Sequence, residues 1–160
     1  MVSQMPQSLC LANNYIEWGI SKNIPMTPLK LQKLLYLHYA RHMYVLGTVP
    51  FMDYFEKWPK GPVLRSMYET LKIFGGEPIT RPLIDIQGKI LTFSEEDDEF
   101  RHLFGDVSNR YGKWNTQDLI RLTHDGPQGA EYDTAWKKAP GMGYALHLAD
   151  VKEDGRVLFG

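Results

Sequence analysis

The segment from Thr27 to Gly47 constrains the fold most, because it carries the start and stop signals of one long helix. Thr27 is a favourable N-cap residue, since its hydroxyl can accept a hydrogen bond from a free N–H in the first turn. Pro28 then falls at the first helical position, where its missing N–H costs nothing. Gly47 tolerates the positive φ that commonly ends a helix. The sequence therefore predicts a helix from Pro28 to about Leu46.

The predicted helix has two different sides. One side carries apolar residues at helical spacing and is predicted to face the core. The other side mixes basic and apolar residues, which suits a surface that meets a partner. The core side contains Leu31, Leu34, Leu35, Val45 and Leu46. The second side contains Lys30, Lys33, Leu37, Arg41 and Tyr44.

A second helix start lies at Gly61-Pro62-Val63, directly after Trp58-Pro59-Lys60. The proline again suits a first helical turn, and Gly75-Gly76 suits the end of a helix. The sequence therefore predicts a helix over Pro62–Phe74, with Val63 on the side that faces the core.

The rest of the chain is predicted to form shorter elements around these two helices. Apolar residues flank Gln87-Gly88-Lys89, which predicts a β-hairpin over Leu83–Phe93. Ser94 is predicted to cap the next helix, and the acidic run 95–99 then has a structural explanation, since negative charge is favourable at a helix N-terminus. Asp154-Gly155 predicts a turn before a last strand or hairpin at 157–159. Further helices are predicted at about Pro6–Ile20, Asn115–His124 and Glu131–Lys138.

Together these elements predict a mainly α (α+β) fold, a compact helical domain with a small antiparallel β-hairpin or sheet. The 160 residues fit a single domain over residues 1–160. Its motif-bearing core spans about residues 5–140, and residues 141–160 form a C-terminal extension.

Charge and cysteine content exclude several classes of site. The formal net charge is −1 and the isoelectric point is near 6.5, which argues against generic binding to nucleic-acid backbones. Cys10 is the only cysteine, so the chain is predicted to have neither an intrachain disulfide nor a cysteine-based zinc site. No apolar run reaches the roughly 20 residues of a membrane helix, and the N-terminus does not resemble a signal peptide. We therefore expect a cytoplasmic protein without membrane contact.

Three histidines are the candidates for catalysis or metal binding. His38 and His42 are spaced to place two imidazoles on one helix face, but no third ligand accompanies them. His124 precedes Asp125, yet adjacent helical residues do not face each other. A structural role for His124 beside Gly126-Pro127, bonding free helix carbonyls, is the simpler interpretation. The sequence thus predicts no catalytic residue, no metal and no cofactor, and the alternative is a metal-dependent or nucleic-acid-acting enzyme that uses these histidines.

Three motifs occur in a fixed order and together resemble one known family. They are the run from Thr27 to Tyr36 (TPLKLQKLLY), Trp58 with Gly61-Pro62-Val63, and Leu119 with Thr123-His124. With the later Trp136, they resemble the Panacea antitoxin domain of bacteria, prophages and phages. Lys60 stands where an aromatic residue is common in this family, and Trp136 arrives late, after the loop at 126–129.

The resemblance implies a non-enzymatic antitoxin that neutralises a cognate protein toxin by direct binding in the bacterial host cell. One branch, the SocA-type antitoxins, acts as a proteolytic adaptor that delivers its toxin to the ClpXP protease, which makes ClpXP a second candidate partner. Other members are phage-associated, so a phage-encoded counter-defence or regulatory binding protein is the alternative. The residues expected to be structural motif residues are Thr27, Leu31, Leu34, Leu35, Gly61, Pro62, Val63 and His124.

The partner surface is predicted from aromatic and basic residues, which are enriched at protein interfaces. One group is the turn Trp58-Pro59-Lys60-Gly61 with Arg65, and the other is the second side of the long helix. The near-neutral charge favours a protein partner over nucleic acid. The competing interpretation is that Trp58 fills the domain's own core and holds the turn in place. The predicted partner-binding residues are Lys33, Leu37, Arg41, Tyr44, Trp58, Lys60 and Arg65.

Overall fold

A computed structural model describes residues 7–160, which form seven α-helices and one two-stranded antiparallel sheet. This confirms the predicted mainly α fold with a small antiparallel sheet. The predicted helix start at Pro6 lies outside the described residues, as do residues 1–5 of the predicted domain. The helices are α1 Gln7–Lys22, α2 Pro28–Leu46, α3 Arg65–Leu71, α4 Asp98–Tyr111, α5 Thr116–Asp125, α6 Ala135–Lys138 and α7 Leu148–Val157. The strands are β1 Phe55–Trp58 and β2 Gly61–Leu64, and a 3-10 turn, Lys72–Phe74, follows α3.

Helix α2 lies at the centre of the structure, and its predicted bounds are confirmed. The Thr27 hydroxyl accepts from the Lys30 N–H at 3.3 Å, and Gly47 follows the helix with a φ of 74°. Helices α1, α3, α4, α5 and α7 and strand β2 all pack against α2. Every residue from Leu31 to Ala40 is buried as a result. A helix covered on all sides has no solvent face, so the predicted exposed side does not exist in its central turns.

The hairpin lies at residues 55–64, upstream of the segment for which the sequence predicts one. Trp58 pairs opposite Gly61, so Pro59-Lys60 forms the turn. Helix α3 begins only at Arg65, and the predicted helix start at Pro62 is wrong. The fixed φ of proline fits an edge strand as well as a first helical turn, so the local signal does not distinguish the two.

The predicted hairpin at 83–93 is wrong. Its glycine turn exists, with Gly88 at a φ of 77°, but the flanking segments form no strands. The Asp85 N–H donates to the Lys89 carbonyl at 2.8 Å across the turn, and beyond this bond the two segments bond to α1. The Asn13 amide bonds the N–H and the carbonyl of Leu83 at 2.7 and 2.9 Å, and the Asn14 amide bonds those of Phe93 at 2.9 and 3.1 Å. Two side-chain amides thus take the place of the strand ladder.

The C-terminal residues form helix α7, so the predicted turn at Asp154-Gly155 and strand at 157–159 are wrong. Gly155 lies inside the helix, where a Cβ atom would come within 2.0 Å of the Ala40 carbonyl oxygen. The missing side chain lets α7 lie directly against α2. The neighbouring Asp154 is fully buried. This Asp-Gly pair therefore serves helix packing.

Side-chain caps set the remaining helix starts. Asp97 caps α4, so this helix begins beyond the predicted cap at Ser94. Asn115 caps α5, which starts where the sequence predicts a helix, and Thr134 caps α6, which is shorter than the predicted helix from Glu131. Every helix and both strands contribute to one hydrophobic core. Within residues 7–160, no helix is long and apolar enough to span a bilayer.

Candidate protein-binding site

The first and second sequence motifs meet where α2 passes the outer edge of β2. The Gln32 amide donates to the Leu64 carbonyl at 3.1 Å and accepts from the Leu64 N–H at 3.0 Å. The Lys33 ammonium donates to the Pro62 carbonyl at 2.8 Å. An open strand edge presents unpaired backbone groups, and these two side chains close it. We call this contact the motif junction (Gln32, Lys33, Pro62 and Leu64).

Lys33 is fully buried in the motif junction, so the prediction that it lies on an exposed face is wrong. Burial lowers the pKa of its amine from 10.5 to about 7. The tight fit depends on Gly61, because a Cβ atom there would lie 2.7 Å from the Lys33 Cε and the φ of +107° favours glycine. Leu37 is also fully buried, so the prediction of its exposure is wrong too. Neither residue can touch a partner in this fold.

The third motif packs beside the motif junction. Thr123 is fully buried, and its hydroxyl oxygen lies close to Gly61. The His124 ring stacks on Trp136, with ring centroids 3.7 Å apart and planes 14° from parallel. Within residues 7–160 the His124 Nε2 atom has no hydrogen-bond partner, and stacking, rather than the predicted bonding to helix carbonyls, holds the ring. Burial lowers the pKa of this imidazole, although the charge of Asp125 opposes the shift.

Trp136 also connects this cluster to β1. Its Nε1 donates to the Trp58 carbonyl at 2.8 Å. The Lys57 ammonium lies 4.5 Å from the centroid of the Trp136 ring and donates to the Ala139 carbonyl at 3.2 Å. The three motifs and the late tryptophan therefore form one contiguous unit around Gly61. Their shared effect is to fix the hairpin turn.

Trp58 stands on the surface side of this unit and is half-buried. Its Nε1 donates to Glu56 at 2.9 Å, while Arg65 donates to the same carboxylate at 2.9 and 3.2 Å. The Arg65 guanidinium lies 5.3 Å from the centroid of the Trp58 ring, and Tyr68 packs on the ring at 4.8 Å. Burial would raise the pKa of Glu56, but the hydrogen bonds from Arg65 and Trp58 and the charge of Arg65 lower it overall. Trp58 is thus held in place while part of its ring stays accessible.

A groove of about 440 Å³ lies beside Trp58, between the first turn of α2, the hairpin turn and α3. We call it the Trp58 groove, and its size lies within the range of about 300–1,000 Å³ that is typical of ligand pockets. Among residues 7–160, Lys60 and Lys72 are the only charged residues that line it. Its larger apolar residues are Pro28, Leu29, Trp58, Val63, Tyr68 and Leu71. Residues of the first two motifs therefore line an accessible groove.

Arg41 and Tyr44, the other predicted partner-binding residues, lie elsewhere. Arg41 donates to the Gly155 carbonyl at 3.0 Å and pairs with Asp106 at 3.3 Å. Tyr44 lies beside Arg41 and is 41% exposed. The helical rise places Arg41 about 18 Å along α2 from Leu29 in the Trp58 groove. The structure therefore separates the predicted partner residues into two faces.

The other two candidate histidines are engaged within the protein. His38 is buried, and its Nδ1 lies 2.8 Å from the Tyr15 hydroxyl. Burial, assisted by the nearby His42, lowers the pKa of His38 to about 3. The Nδ1 of His42 bonds the Thr48 carbonyl at 2.9 Å. In the part of the chain that the structure describes, no group of three or more His, Cys, Asp or Glu side chains could hold a metal ion.

A buried carboxylate network is the main feature that the sequence did not reveal. Asp154 accepts from the hydroxyls of Tyr36 and Tyr132 at 2.5 and 2.6 Å, and from the Ala135 N–H at 3.3 Å. Burial raises the pKa of Asp154 to about 6, although these hydrogen bonds oppose the shift. The donors come from α2, the segment before α6, and α6. No local sequence pattern could have identified this network. It also explains Tyr36, the last residue of the first motif, whose hydroxyl donates to Asp154.

The chain is similar to known proteins over most of its length. The family described as "Antitoxin SocA-like, Panacea domain" matches residues 31–128, more than half of the 160 residues. A curated relative, Antitoxin SocA of Caulobacter vibrioides, is 27% identical over an alignment of 158 residues. The alignment covers 93% of this chain and 82% of that protein. No solved structure matches the chain significantly. The family match spans α2 from its second turn through α5, and therefore the whole motif junction.

Proposed function

The chain belongs to the SocA-like antitoxin family with a Panacea domain, and from this membership we propose that it neutralises a cognate protein toxin by direct binding. In this proposal it is a non-enzymatic protein of the bacterial cytoplasm. The family match over residues 31–128 is the observation that carries the proposal. The relative named Antitoxin SocA, which aligns with 93% of the chain, supports it.

We assign toxin binding to the Trp58 groove. Trp58 and Lys60 line this groove, and Arg65 flanks it. Tryptophan and arginine are enriched among the residues that dominate interface energies. Because Trp58 is already held by Glu56 and Arg65, little conformational freedom is lost when a partner docks against it. The face with Arg41 and Tyr44 is the rival site.

The central test is expression of the adjacent gene alone and together with this chain. We expect the neighbour's product to arrest growth, co-expression to relieve the arrest, and a complex to be recovered on purification. Repeating the test in cells without ClpXP separates two modes, since a stoichiometric inhibitor still rescues growth there and a proteolytic adaptor does not. A harmless neighbour, or rescue without a complex in either strain, would contradict the proposal.

A phage-encoded counter-defence or regulatory binding protein is the second candidate, because the Panacea domain also occurs in phages. Such a protein would also act by binding a partner protein, but it would not require a toxic product of the adjacent gene. The enzyme alternative has less support, since His38 and His42 bond neighbouring protein groups and His124 stacks on Trp136. Those contacts favour structural roles for all three histidines.

A further inference from the structure

We propose that the Trp58 groove recognises a short peptide segment of the toxin in which an apolar side chain is flanked by carboxylates. This inference rests on the proposed function and specifies the chemistry of the segment that is bound. Three features of the groove support it. Its walls are apolar, the charge at its rim is positive, and its walls are held in a fixed geometry.

The walls of the groove are apolar and partly accessible. The half-buried Pro28 and Leu29 contribute from the first turn of α2, and the buried Leu71 contributes from α3. The Trp58 ring forms another wall together with Tyr68, which keeps 43% of its surface exposed. An apolar side chain that enters removes this surface from water, which favours docking. Accessible apolar surface with a polar rim is typical of protein interaction sites.

The charged residues at the rim of the groove favour a partner segment with negative charge. Lys60 lies exposed in the hairpin turn, and Lys72 approaches from the 3-10 turn after α3. In the part of the chain that the structure describes, no acidic residue lines the groove. Lys72 pairs with Glu69 at 2.6 Å, but both side chains are more than half exposed, and such pairs contribute little. A carboxylate on the partner can therefore replace Glu69.

The walls are fixed before a partner arrives. Pro28 and Pro59 restrict the backbone on two sides of the groove. Trp58 is held by the Glu56 carboxylate and the Arg65 guanidinium, so Arg65 orients the ring and leaves the two lysines to meet the partner. A site with few side chains to order favours binding of a short segment.

The dimensions and charge count favour a peptide over other anionic partners. A volume of about 440 Å³ accommodates a few side chains and not a folded domain. Phosphate backbones are usually bound by many cations, whereas two lysines line this groove. A segment with one apolar anchor and one or two carboxylates satisfies both features.

The test selects peptides from a random dodecapeptide library displayed on phage, using the purified chain as bait. Enriched sequences are synthesised with a fluorescent label, and anisotropy compares their binding to the wild type and to the double variant Lys60→Glu/Lys72→Glu. The matched control is Lys89→Glu/Lys152→Glu, which reverses two exposed lysines outside the groove. Circular dichroism establishes that both variants fold.

We expect enriched peptides to place an apolar residue beside Asp or Glu, and to bind the groove variant at least tenfold more weakly than the wild type or the control. Enrichment without acidic residues, equal binding to the groove variant, or no enrichment would overturn the inference. Equal competition by a single-stranded oligonucleotide would point to nucleic acid instead. The library contains no toxin, so acidic peptides that bind while growth rescue fails would keep the groove assignment and reject the antitoxin role.

Discussion

Gln32 bonds Leu64 as a neighbouring strand would, since its side-chain amide donates to the Leu64 carbonyl at 3.1 Å and accepts from the Leu64 N–H at 3.0 Å. Helix α2 thus supplies the two hydrogen bonds that a third strand would otherwise provide. The same arrangement joins Asn13 of α1 to Leu83. In this fold, carboxamide side chains on helices hold extended segments whose backbone groups have no strand partner.

Replacing Gln32 with alanine should leave both backbone groups of Leu64 buried without these partners. Each orphaned group costs roughly 1–3 kcal/mol, so we expect Gln32→Ala to lower the free energy of unfolding by about 2–6 kcal/mol. Urea denaturation measures the change. The control is Gln117→Ala on α5, an exposed position where a change within about 0.5 kcal/mol is expected. Equal effects at the two sites would show that the Gln32 bonds do not stabilise β2.

Two helical glycines should respond to alanine with opposite signs. Gly155→Ala places a Cβ atom 2.0 Å from the Ala40 carbonyl oxygen, so α7 must move away from α2. We expect a loss of about 3 kcal/mol or more. At Gly105 in α4, the nearest atom to a Cβ is the flexible Asn109 amide at 3.6 Å. Gly105→Ala should therefore raise stability by about 0.5–1 kcal/mol, and thermal unfolding of both variants checks the pair.

The buried amine of Lys33 should make stability depend on pH. Its pKa is about 7 in the folded protein and 10.5 in the unfolded chain, so the unfolded chain binds more protons between these values. The free energy of unfolding therefore rises with pH in that window. Relative to Lys33→Met, the wild type should gain about 2–4 kcal/mol between about pH 7 and pH 10, because other titrations cancel in the difference. A pH-independent difference in urea denaturation would contradict the shifted pKa.

The sequence predicted those parts of the fold whose signals are local. The signals that begin and end α2, at Thr27 and Gly47, lie within one short segment, and the start of α5 at Asn115 is also set locally. The predicted bounds of α2 and the predicted start of α5 are therefore correct. The segment from Leu83 fails because its backbone bonds a side chain 70 positions away, at Asn13. Alternation of apolar residues predicts an extended chain, but it does not identify what that chain bonds.

The candidate site shows the same limit. Lys33 and Arg41 share one side of α2 by helical spacing, yet β2 and α5 cover Lys33 while Arg41 keeps a partly exposed side chain. Burial of a lysine depends on what the rest of the chain packs against it, which spacing does not contain. The turn at Trp58 and Lys60 does lie at an accessible surface, and its role in partner binding stays a prediction.

The last prediction decides between the two faces by toxin rescue. Reversal of Lys33 cannot be used, because a buried carboxylate there would disrupt the motif junction. We expect Lys60→Glu/Lys72→Glu to stay folded and to lose rescue of growth, since both lysines line the Trp58 groove and are exposed. The variant Tyr44→Ala probes the rival face and should keep rescue.

The folded state of each variant is checked by circular dichroism and its complex with the toxin by co-purification. Lys89→Glu/Lys152→Glu repeats the change in charge at exposed positions outside the Trp58 groove, so rescue by this control excludes a general effect of net charge. Full rescue by the groove variant, with loss of rescue in Tyr44→Ala, would place the toxin-binding site at the C-terminal half of α2. The groove assignment would then fail while the antitoxin role persisted, because the wild type still binds and neutralises the toxin in the same cells.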